Sequence, residues 1–436
     1  MRVLLFGCKD PREAVGAQET IDRGLLRANS GNLLFNDGAW HAVSAPGTEV
    51  VVSDLAGARP RQVEEEFDRI VLPLANAFRP QFAEQLAALT RLLRRTTLPV
   101  TVLGVGAQSS YDFSTEPLAP VADVVRDFVA AALDRGPSVG VRGAFTAEWL
   151  RSLGFRDVEV VGCPSMFRHG PSLPEPSGDS PLTADSRIVL AMDRHDEVDA
   201  WDLARRAHAV HPRLEYVAQT VADLELLLWG RGRKHPPRSW VPADLDHPLL
   251  REDRTRMHLD ARTWIDDVRS ADFVLGTRIH GNVVGVLAGT PCHVLTHDSR
   301  TRELAEHFEL PRTPLHELTP TTTVAELRER SDPGAVVRGH GARFARYTAF
   351  LDAHGVRHTW AAGGPTTLDE RLAGVALPPP VRSLAVVDRA EASARMVDLV
   401  RSKEKAARRH ERQVARLRAR LQGEGGTPDD ATEDDA

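Results

Sequence analysis

The stretch ADFVLGTRIHGNVVGVLAGTPCHVLTHDSR, residues 271–300, decides the fold prediction. Phe273–Gly276 and Pro291–Leu295 are short apolar runs that predict buried strands. Asn282–Ala288, between them, is a predicted helix. Two buried strands joined by a helix are typical of a parallel β-α-β unit, whose sheet carries helices on both faces.

The same alternation extends from this unit towards the amino terminus. The other predicted strands are Val3–Phe6, Glu49–Ser53, Arg69–Leu72, Val100–Val105, Ser138–Val141, Val158–Val161, Arg187–Met192 and Leu214–Val217. The other predicted helices are Gln81–Arg95, Leu118–Asp134, Ala144–Leu153, Ala200–Ala209, Val221–Leu228 and Trp264–Arg269. We therefore predict an α/β protein with two Rossmann-like, doubly wound domains that face each other across a cleft.

Changes in composition give the predicted domain boundaries. Pro171–Asp185 is rich in Pro, Ser and Gly and is a predicted linker. It separates a first domain at residues 1–170 from a second domain at residues 186–360. Residues 381–422 are a predicted basic helical extension, and residues 423–436 are a predicted disordered acidic tail.

Composition disfavours several classes of protein. Of 436 residues, 42% are apolar, and no apolar run approaches the roughly 20 residues of a membrane-spanning helix. A net charge of −6 gives no support for nucleic-acid binding. Three distant cysteines exclude a disulfide scaffold, argue against a thiolate zinc site and indicate a reducing compartment. Since Met1–Gly7 has no signal-peptide features, we predict a cytoplasmic protein.

The basic extension has two interpretations. In one, it is a solvated surface helix or a short coiled coil. In the other, it contacts an anionic polymer or the inner face of the membrane, which would make the protein peripheral to the membrane. The sequence leaves this choice open, and it also leaves open whether the chain forms a homo-oligomer.

The T-R-I-H turn in the quoted stretch carries the most specific group of polar residues. The following helix is predicted to begin near Asn282, where its first N–H groups create an anion site. Arg278 adds a planar fork for a carboxylate or phosphate, and His280 adds a group that titrates near neutral pH. Gly281 allows close backbone approach. The structural alternative is that Arg278 forms a surface ion pair and His280 caps the helix.

The next predicted strand also ends in polar residues. They are His297, Asp298, Ser299, Arg300 and Arg302. Because neighbouring parallel strands end at the same edge of a sheet, cations on two such ends indicate one anionic ligand. The alternative is that Arg300 and Arg302, at the start of a helix, are merely solvated.

Turns in the first domain add weaker candidates. Gln108 follows Gly104-Val105-Gly106, which lacks the third glycine of a dinucleotide fingerprint, so we interpret a tight turn that offers Gln108 to the cleft. Arg142 follows a buried strand and is a candidate for anion binding, or else it is only the first exposed residue. Asn29 and Asn32 frame an N-S-G-N turn, in which Asn32 is a predicted N-cap.

Cys163 precedes Pro164 at a further strand end. The simplest interpretation is a rigid turn. A nucleophilic thiol would need a partner base, and the sequence shows no obvious partner for Cys163.

Taken together and in this order, these segments resemble the polysaccharide pyruvyl transferase family. The matching motifs are N-S-G-N (Asn29–Asn32), G-V-G-A-Q (Gly104–Gln108), S-V-G-V-R-G-A-F-T (Ser138–Thr146), G-C-P-S (Gly162–Ser165), T-R-I-H-G-N-V (Thr277–Val283) and A-G-T-P-C-H-V (Ala288–Val294). The chain departs from the expected pattern at Pro73–Asn76, where a Gly-rich turn is usual. It also departs at His297 and Arg300, where an aromatic residue and a lysine are usual.

The resemblance implies two Rossmann-like domains in the manner of GT-B glycosyltransferases. It implies transfer of pyruvate from phosphoenolpyruvate to a sugar of a cell-surface polysaccharide or its precursor, which gives a pyruvate ketal. The implied partners are phosphoenolpyruvate and a saccharide acceptor, lipid-linked or not, and neither a cofactor nor a metal is expected. His280 is the expected acid/base residue, and Arg278 and Arg142 are expected to face the departing phosphate. The other expected substrate-binding residues are Gln108, Asn29, Asn32, Gly281 and Arg300.

Two other functions remain as alternatives. A sugar-nucleotide-dependent GT-B glycosyltransferase would have the same fold, but retaining members commonly carry a glutamate in the helix that corresponds to Asn282–Ala288, which has no carboxylate. A non-catalytic binding protein of envelope polysaccharide assembly is disfavoured by the retained R-I-H motif. Fold alone does not decide among the three functions.

Overall fold

Within residues 1–178, all of which the structure describes, six strands form a parallel sheet. This computed structural model also describes residues 180–193, 198–232, 240–362 and 372–423. The six strands are β1 (Arg2–Phe6), β2 (Glu49–Ser53), β3 (Arg69–Pro73), β4 (Val100–Val105), β5 (Val139–Val141) and β6 (Val158–Val160). Their order across the sheet is β2-β1-β3-β4-β5-β6.

Helices cover both faces of this first sheet. They are α1 (Ala17–Asp22), α2 (Gly31–Val43), α3 (Pro60–Glu66), α4 (Ala83–Arg94), α5 (Ala122–Leu133) and α6 (Ala144–Ser152). Short 3-10 helices lie at Pro80–Phe82, Glu116–Val121 and Pro164–Phe167. Alternate residues of β1 face opposite sides, so that Leu4 belongs to the core under α4 and α5, and Leu5 to the core under α2. This two-sided burial explains why the strands are continuous apolar runs.

The second sheet contains seven strands among the described residues. They are β7 (Ile188–Leu190), β8 (Leu214–Val217), β9 (Thr255–Met257), β10 (Phe273–Gly276), β11 (Cys292–Thr296), β12 (Arg312–Pro314) and β13 (Val381–Arg382), in the order β12-β11-β10-β7-β8-β9-β13. Only β13 is antiparallel to its neighbour within this described set. The helices are α7 (Val198–Val210), α8 (Val221–Trp229), α9 (Pro248–Arg251), α10 (Ala261–Val268), α11 (Ile279–Ala288), α12 (Ser299–Phe308), α13 (Val324–Glu329) and α14 (Gly334–Ala353). Short 3-10 helices lie at Leu315–Glu317 and Thr359–Ala362.

The two sheets confirm the predicted fold class of two doubly wound, Rossmann-like domains. Each strand order reverses at one place, between β1 and β3 in the first sheet and between β7 and β10 in the second. In open parallel sheets, ligands bind outside the carboxyl ends of the strands at such switch points. These two places are therefore where a binding site is expected.

Helix α14 lies within residues 186–360, yet its carboxyl-terminal end contacts the first sheet. A Cβ on Gly140 of β5 would lie 2.8 Å from Cζ of Phe350. His354, directly after the helix, lies with Nε2 3.0 Å from the carbonyl oxygen of Ser138 and accepts at its own carbonyl oxygen from Arg69 Nη1 at 2.9 Å. The chain thus returns to the first sheet after completing most of the second.

The carboxyl-terminal part of the chain corrects the predicted extension. Val381–Arg382, the predicted start of a basic helix, is instead strand β13, because it pairs with Met257 and Arg256 of β9. Helix α15 spans Arg389–Gly423 and belongs to a separate compact unit that begins at Val387. From residue 424 onwards the predicted acidic tail lies outside the described residues. No described helix is long and apolar enough to span a membrane.

Candidate functional site

The T-R-I-H motif lies at the carboxyl end of β10. Helix α11 begins at Ile279 with Arg278 as its N-cap, so the predicted helix start near Asn282 is wrong and His280 lies in the first helical turn. The earlier start has a local cause: the buried Asn282 side chain donates from Nδ2 to the carbonyl oxygens of Gly276 at 3.0 Å and Arg278 at 3.1 Å. These hydrogen bonds tie the strand end to the helix.

Arg278 is held against the end of β7. Its backbone N–H donates to the Ala191 carbonyl oxygen at 2.9 Å, and its Nη2 is 2.8 Å from Asp193 Oδ2. Gly281 allows this close approach, because a Cβ on Gly281 would lie 2.3 Å from the Ala191 Cβ. The Nε of Arg278 is buried and has no hydrogen-bond partner among the described residues. The structural alternative is therefore only half right. Arg278 does form an ion pair, but its own side chain is only 12% exposed, so the pair does not lie at an open surface.

Arg142, after β5, is among the largest fully buried side chains, with an exposed fraction of 1%. It is therefore not the first exposed residue after a strand. Its Nε donates to the Gly104 carbonyl oxygen at 3.2 Å, its guanidinium carbon lies 5.6 Å from the centroid of the Phe35 ring, and its Nη2 has no partner among the described residues. Burial lowers the pKa of Arg142, and the charge of Arg300 lowers it further, while Cys163 and Glu303 oppose the shift. A buried cation with a free donor is a ready anion-binding group.

His280 lies between the two sheets. Its Nε2 is 3.8 Å from Cys163 Sγ, and a Cβ on Gly31 of α2 would lie 2.7 Å from its Nδ1. His280 is thus a neighbour of Cys163 that the sequence does not reveal. Burial lowers the pKa of His280 well below its usual value, and the charges of Arg142, Arg300 and Arg278 lower it further. These effects favour the neutral imidazole at pH 7.

The N-S-G-N turn borders His280 from the first-sheet side. Asn29 Oδ1 accepts a hydrogen bond from the backbone N–H of Gly31 at 3.0 Å. The predicted N-cap role of Asn32 is wrong: the N-cap of α2 is Ser30, and Asn32 lies inside the helix, where its Nδ2 donates to the Leu26 carbonyl oxygen at 2.9 Å. Since Gly31 is already the first helical residue, the N-cap is the residue before it, Ser30, and not Asn32.

Gln108 connects the two sheets through polar contacts. Its Oε1 accepts from Asn76 Nδ2 at 2.5 Å and from Arg79 Nη1 at 3.2 Å, and its Nε2 donates to Asp298 Oδ2 at 3.4 Å. Asp298 is the N-cap of α12 and lies 3.3 Å from Arg300 Nε. Gln108 therefore links the segment of Asn76 and Arg79 to Asp298, whose carboxylate lies beside Arg300.

A second set of contacts holds the start of α12 against the first sheet. The backbone N–H of Ser109 donates to Ser299 Oγ at 2.6 Å, and the backbone N–H of Ser299 donates to the Ser109 carbonyl oxygen at 3.1 Å. The buried Glu303 accepts from the backbone N–H of Thr146 at 2.7 Å and from its Oγ1 at 2.9 Å. Burial raises the pKa of Glu303 to about 7, against the opposing effects of Thr146 and Arg142. These bonds fix the distance between the strand ends that carry Arg142 and Arg300.

A cavity of about 960 Å³ opens at the switch point of the first sheet. The segments after β1, β2 and β3, helix α4, and the residues Asn29, Asn32 and Arg300 line it. Its charged lining residues are Arg27, Asp54, Arg79, Glu84, Arg91, Arg95 and Arg300. A cavity of this volume, lined by charged, amide and apolar side chains, is large enough for ligands larger than a three-carbon acid.

The structure thus brings most of the predicted residues together. Arg142, Arg278 and Arg300 surround His280 closely enough to shift its pKa, and Asn29, Asn32 and Arg300 face the adjoining cavity. Gly281 faces the end of β7 instead, with Ala191 against it.

Sequence reasoning missed Arg79, Phe35 and Glu303. Arg79 was detectable in principle, since it closely follows the unusual strand end at Pro73–Asn76. Phe35 and Glu303 lie on helices and gave no local signal. Among the described residues, no group of three or more His, Cys, Asp and Glu side chains could hold a metal ion.

Comparisons with known proteins bear on this geometry. The family model of polysaccharide pyruvyl transferase matches residues 29–299, which include every predicted site residue except Arg300. A search of curated proteins finds no match.

Solved structures show weak likenesses. The putative UDP-N-acetylglucosamine 2-epimerase of Listeria monocytogenes is 12% identical, with a TM-score of 0.42 over 81% of this chain and 96% of that one. The UDP-GlcNAc 2-epimerase of Methanocaldococcus jannaschii is 9% identical, with a TM-score of 0.42 over 81% and 99%. The glycosyltransferase SnogD of Streptomyces nogalater is 12% identical, with a TM-score of 0.32 over 85% and 99%. All three TM-scores lie below 0.5, so none of these likenesses bears on function.

Proposed function

Because the chain belongs to the polysaccharide pyruvyl transferase family, we propose that it transfers pyruvate from phosphoenolpyruvate to two hydroxyls of a saccharide acceptor, forming a cyclic ketal. The observation that carries this proposal is the fully buried Arg142, whose Nη2 has no hydrogen-bond partner among the described residues and whose charge, with those of Arg278 and Arg300, acts on His280. Phosphoenolpyruvate has a carboxylate and a phosphate, and both groups are bound well by guanidinium forks.

The reaction needs proton transfers and a departing anion. The methylene carbon of phosphoenolpyruvate gains a proton and becomes a methyl group, and the cationic carbon beside it accepts a bond from one sugar hydroxyl oxygen. The bond from that carbon to the phosphate oxygen then breaks, and the second hydroxyl oxygen closes the ring. The two hydroxyl protons account for the new methyl hydrogen and for the proton on the released phosphate, so the reaction balances without an oxidant or reductant.

His280 is the residue of this site suited to move those protons. Burial and the charges of Arg142, Arg300 and Arg278 lower the pKa of His280, which favours the neutral imidazole before the substrate binds. A bound anion offsets the charges of Arg142 and Arg278 and raises the pKa of His280, so that the imidazole, once protonated, donates its proton to the methylene carbon and then takes up the proton of the attacking hydroxyl. Arg300, whose charge also acts on His280, stabilises the negative charge that develops on the departing phosphate.

The acceptor fits the first-sheet cavity. That cavity shares Arg300 and Asn29 with the surroundings of His280, and its 960 Å³ far exceeds what phosphoenolpyruvate needs. Amide side chains at Asn29, Asn32, Asn36 and Asn76 line it, and these offer both donors and acceptors to sugar hydroxyls.

The proposal is tested by incubating the full chain with phosphoenolpyruvate and a panel of saccharides and following phosphate release. Release that requires both substrates, in the presence of EDTA, supports the proposal. A parallel reaction contains UDP-sugars in place of phosphoenolpyruvate. Turnover only in that parallel reaction would overturn the proposal and support a glycosyltransferase.

A further inference from the structure

Arg79 and Arg300 form a pair of neighbouring cations on the wall of the first-sheet cavity. The chain of contacts from Arg79 through Gln108 and Asp298 to Arg300 has steps of 3.2, 3.4 and 3.3 Å. Burial lowers the pKa of Arg79, and the charge of Arg300 lowers it further. Two like charges are thus held close together in a partly desolvated place.

The surrounding residues neutralise this pair only in part, since Asp298 Oδ2 forms an ion pair with Arg300 Nε at 3.3 Å. Arg79 forms no ion pair with any described carboxylate, and its Nε is buried without a hydrogen-bond partner. The Nε of Arg300 is near Asp298 but does not meet hydrogen-bond geometry, so it too lacks a partner within the described chain. The other oxygen of Asp298, Oδ1, accepts from the backbone N–H of Thr301 at 2.9 Å. One carboxylate thus faces two guanidinium groups, and a positive charge remains on this wall of the cavity for an anion to offset.

Building on the proposed function, we propose that Arg79 and Arg300 bind the phosphate group of phosphoenolpyruvate and the inorganic phosphate that leaves, while Arg142 and Arg278 bind the carboxylate. The two roles are assigned by how accessible each arginine is from the cavity. Arg142 is fully buried, which suits a group that stays attached to the product until the end. Arg79 and Arg300 open onto the cavity, so a departing phosphate has a path to solvent.

A purely structural role for Arg79 would give a different result. In that case its Nη1 only orients the Gln108 amide, and removal of its charge would disturb all ligands alike. The two roles therefore differ in whether phosphate and carboxylate ligands respond separately.

Calorimetric titration of the full chain with inorganic phosphate and, separately, with oxalate as a carboxylate probe tests this inference. Arg79→Gln should weaken phosphate binding roughly 10-fold or more, because a charge-assisted hydrogen bond is lost, and should leave oxalate binding within about twofold. Arg278→Gln should show the reverse ranking. Arg300→Gln should repeat the result of Arg79→Gln and guards against misfolding of a single variant.

Arg94→Gln is the matched control, because Arg94 lies on α4 but pairs at the surface with Asp127 at 2.7 Å. It should change neither affinity. Equal losses for both probes in Arg79→Gln, or no loss for either, would overturn the phosphate subsite while leaving the proposed function intact. A wild-type chain that binds neither the probes nor phosphoenolpyruvate would overturn both.

Discussion

The two switch points of this molecule differ in how they are filled. At the packed switch point, between β7 and β10, Gly281 lies so close to Ala191 that a Cβ would be 2.3 Å from it, and Arg278 with Asp193 fills the remaining space. At the open switch point, between β1 and β3, a cavity of 960 Å³ remains. Equivalent places in two similar sheets thus offer a tight cationic site for a small anion and a roomy, mixed surface for a larger molecule.

The two switch points should therefore have different roles in the reaction. The packed side carries His280, whose pKa is lowered by burial and by neighbouring arginines. The open side has both the volume and the amide side chains for a saccharide. Variants on the packed side should therefore alter chemistry and donor binding, and variants on the open side, apart from those of Arg79 and Arg300, should alter acceptor binding.

The largest expected effect is on the packed side, with His280→Ala. Turnover should fall roughly 10²–10⁴-fold, because the acid/base group is lost, and the affinity for phosphoenolpyruvate should change little. Phosphate-release kinetics and calorimetry on the same preparation measure the two quantities. His280→Asn keeps a polar side chain of similar reach, and if that variant stayed active, His280 would have no part in proton transfer.

The next effect is that of Arg278→Ala. It should weaken phosphoenolpyruvate binding roughly 10- to 100-fold, because a charge-assisted hydrogen bond to the anion is lost in the ground state as well as in the transition state. Titration of phosphoenolpyruvate into the variant measures this. The same affinity in Arg278→Ala as in wild type would show that the donor binds elsewhere, and Arg94→Gln serves as the charge-matched control.

A smaller effect is expected on the open side, from Arg27→Met. Arg27 lines the cavity with its guanidinium carbon 4.4 Å from the centroid of the Phe6 ring, and it has no carboxylate partner among the described residues. Its loss should raise the acceptor KM about fivefold, which corresponds to about 1 kcal/mol, without changing the donor affinity. Steady-state kinetics with the acceptor varied at saturating phosphoenolpyruvate measures the change. If Arg27→Met changed the affinity for phosphoenolpyruvate instead, the assignment of the open cavity to the acceptor would be wrong.

The smallest effect on the reaction is expected from Glu303→Gln, which acts through stability. The pKa of Glu303 is raised to about 7, so the folded chain holds a proton that the unfolded chain releases above its usual pKa near 4.5. Wild-type stability should therefore fall as pH rises from about 4.5 to 7, by at most roughly 3 kcal/mol from this group, and then level off. Glutamine keeps an acceptor for Thr146 and does not ionise, so the variant should lack this component. Urea denaturation at pH 5, 6, 7 and 8 compares the two proteins, and parallel pH curves would contradict the assignment.

Much of the fold was predictable because both faces of each sheet are buried. Strands such as Val100–Val105 and Phe273–Gly276 are apolar without interruption, and this pattern predicts them with the bounds that the structure has. The short strands β9 and β12 were missed. Thr255–Met257 and Arg312–Pro314 each contain an arginine that keeps them from being apolar runs, and their pairing is decided by neighbours far along the chain.

The candidate site was predictable only in part, for a related reason. Arg142, Arg278, Arg300 and His280 follow strand ends, and the topology of parallel sheets gathers such residues at one edge. Glu303 acts through Thr146 on the other sheet, so no local pattern reveals it. Arg79 closely follows a strand end, but its connection to Asp298 through Gln108 is visible only in the structure. The wrong N-cap at Asn32 likewise has no local signal. Helix α2 begins one residue earlier, at Gly31, which lies against His280 of the other sheet.

A crystal structure of the full chain with phosphoenolpyruvate tests the central claim most directly. We expect phosphoenolpyruvate beside His280, with one of its oxygens about 3 Å from the unpartnered Nη2 of Arg142. Phosphoenolpyruvate bound only in the open cavity against Arg27 or Arg91, with that Nη2 still lacking a partner, would contradict it.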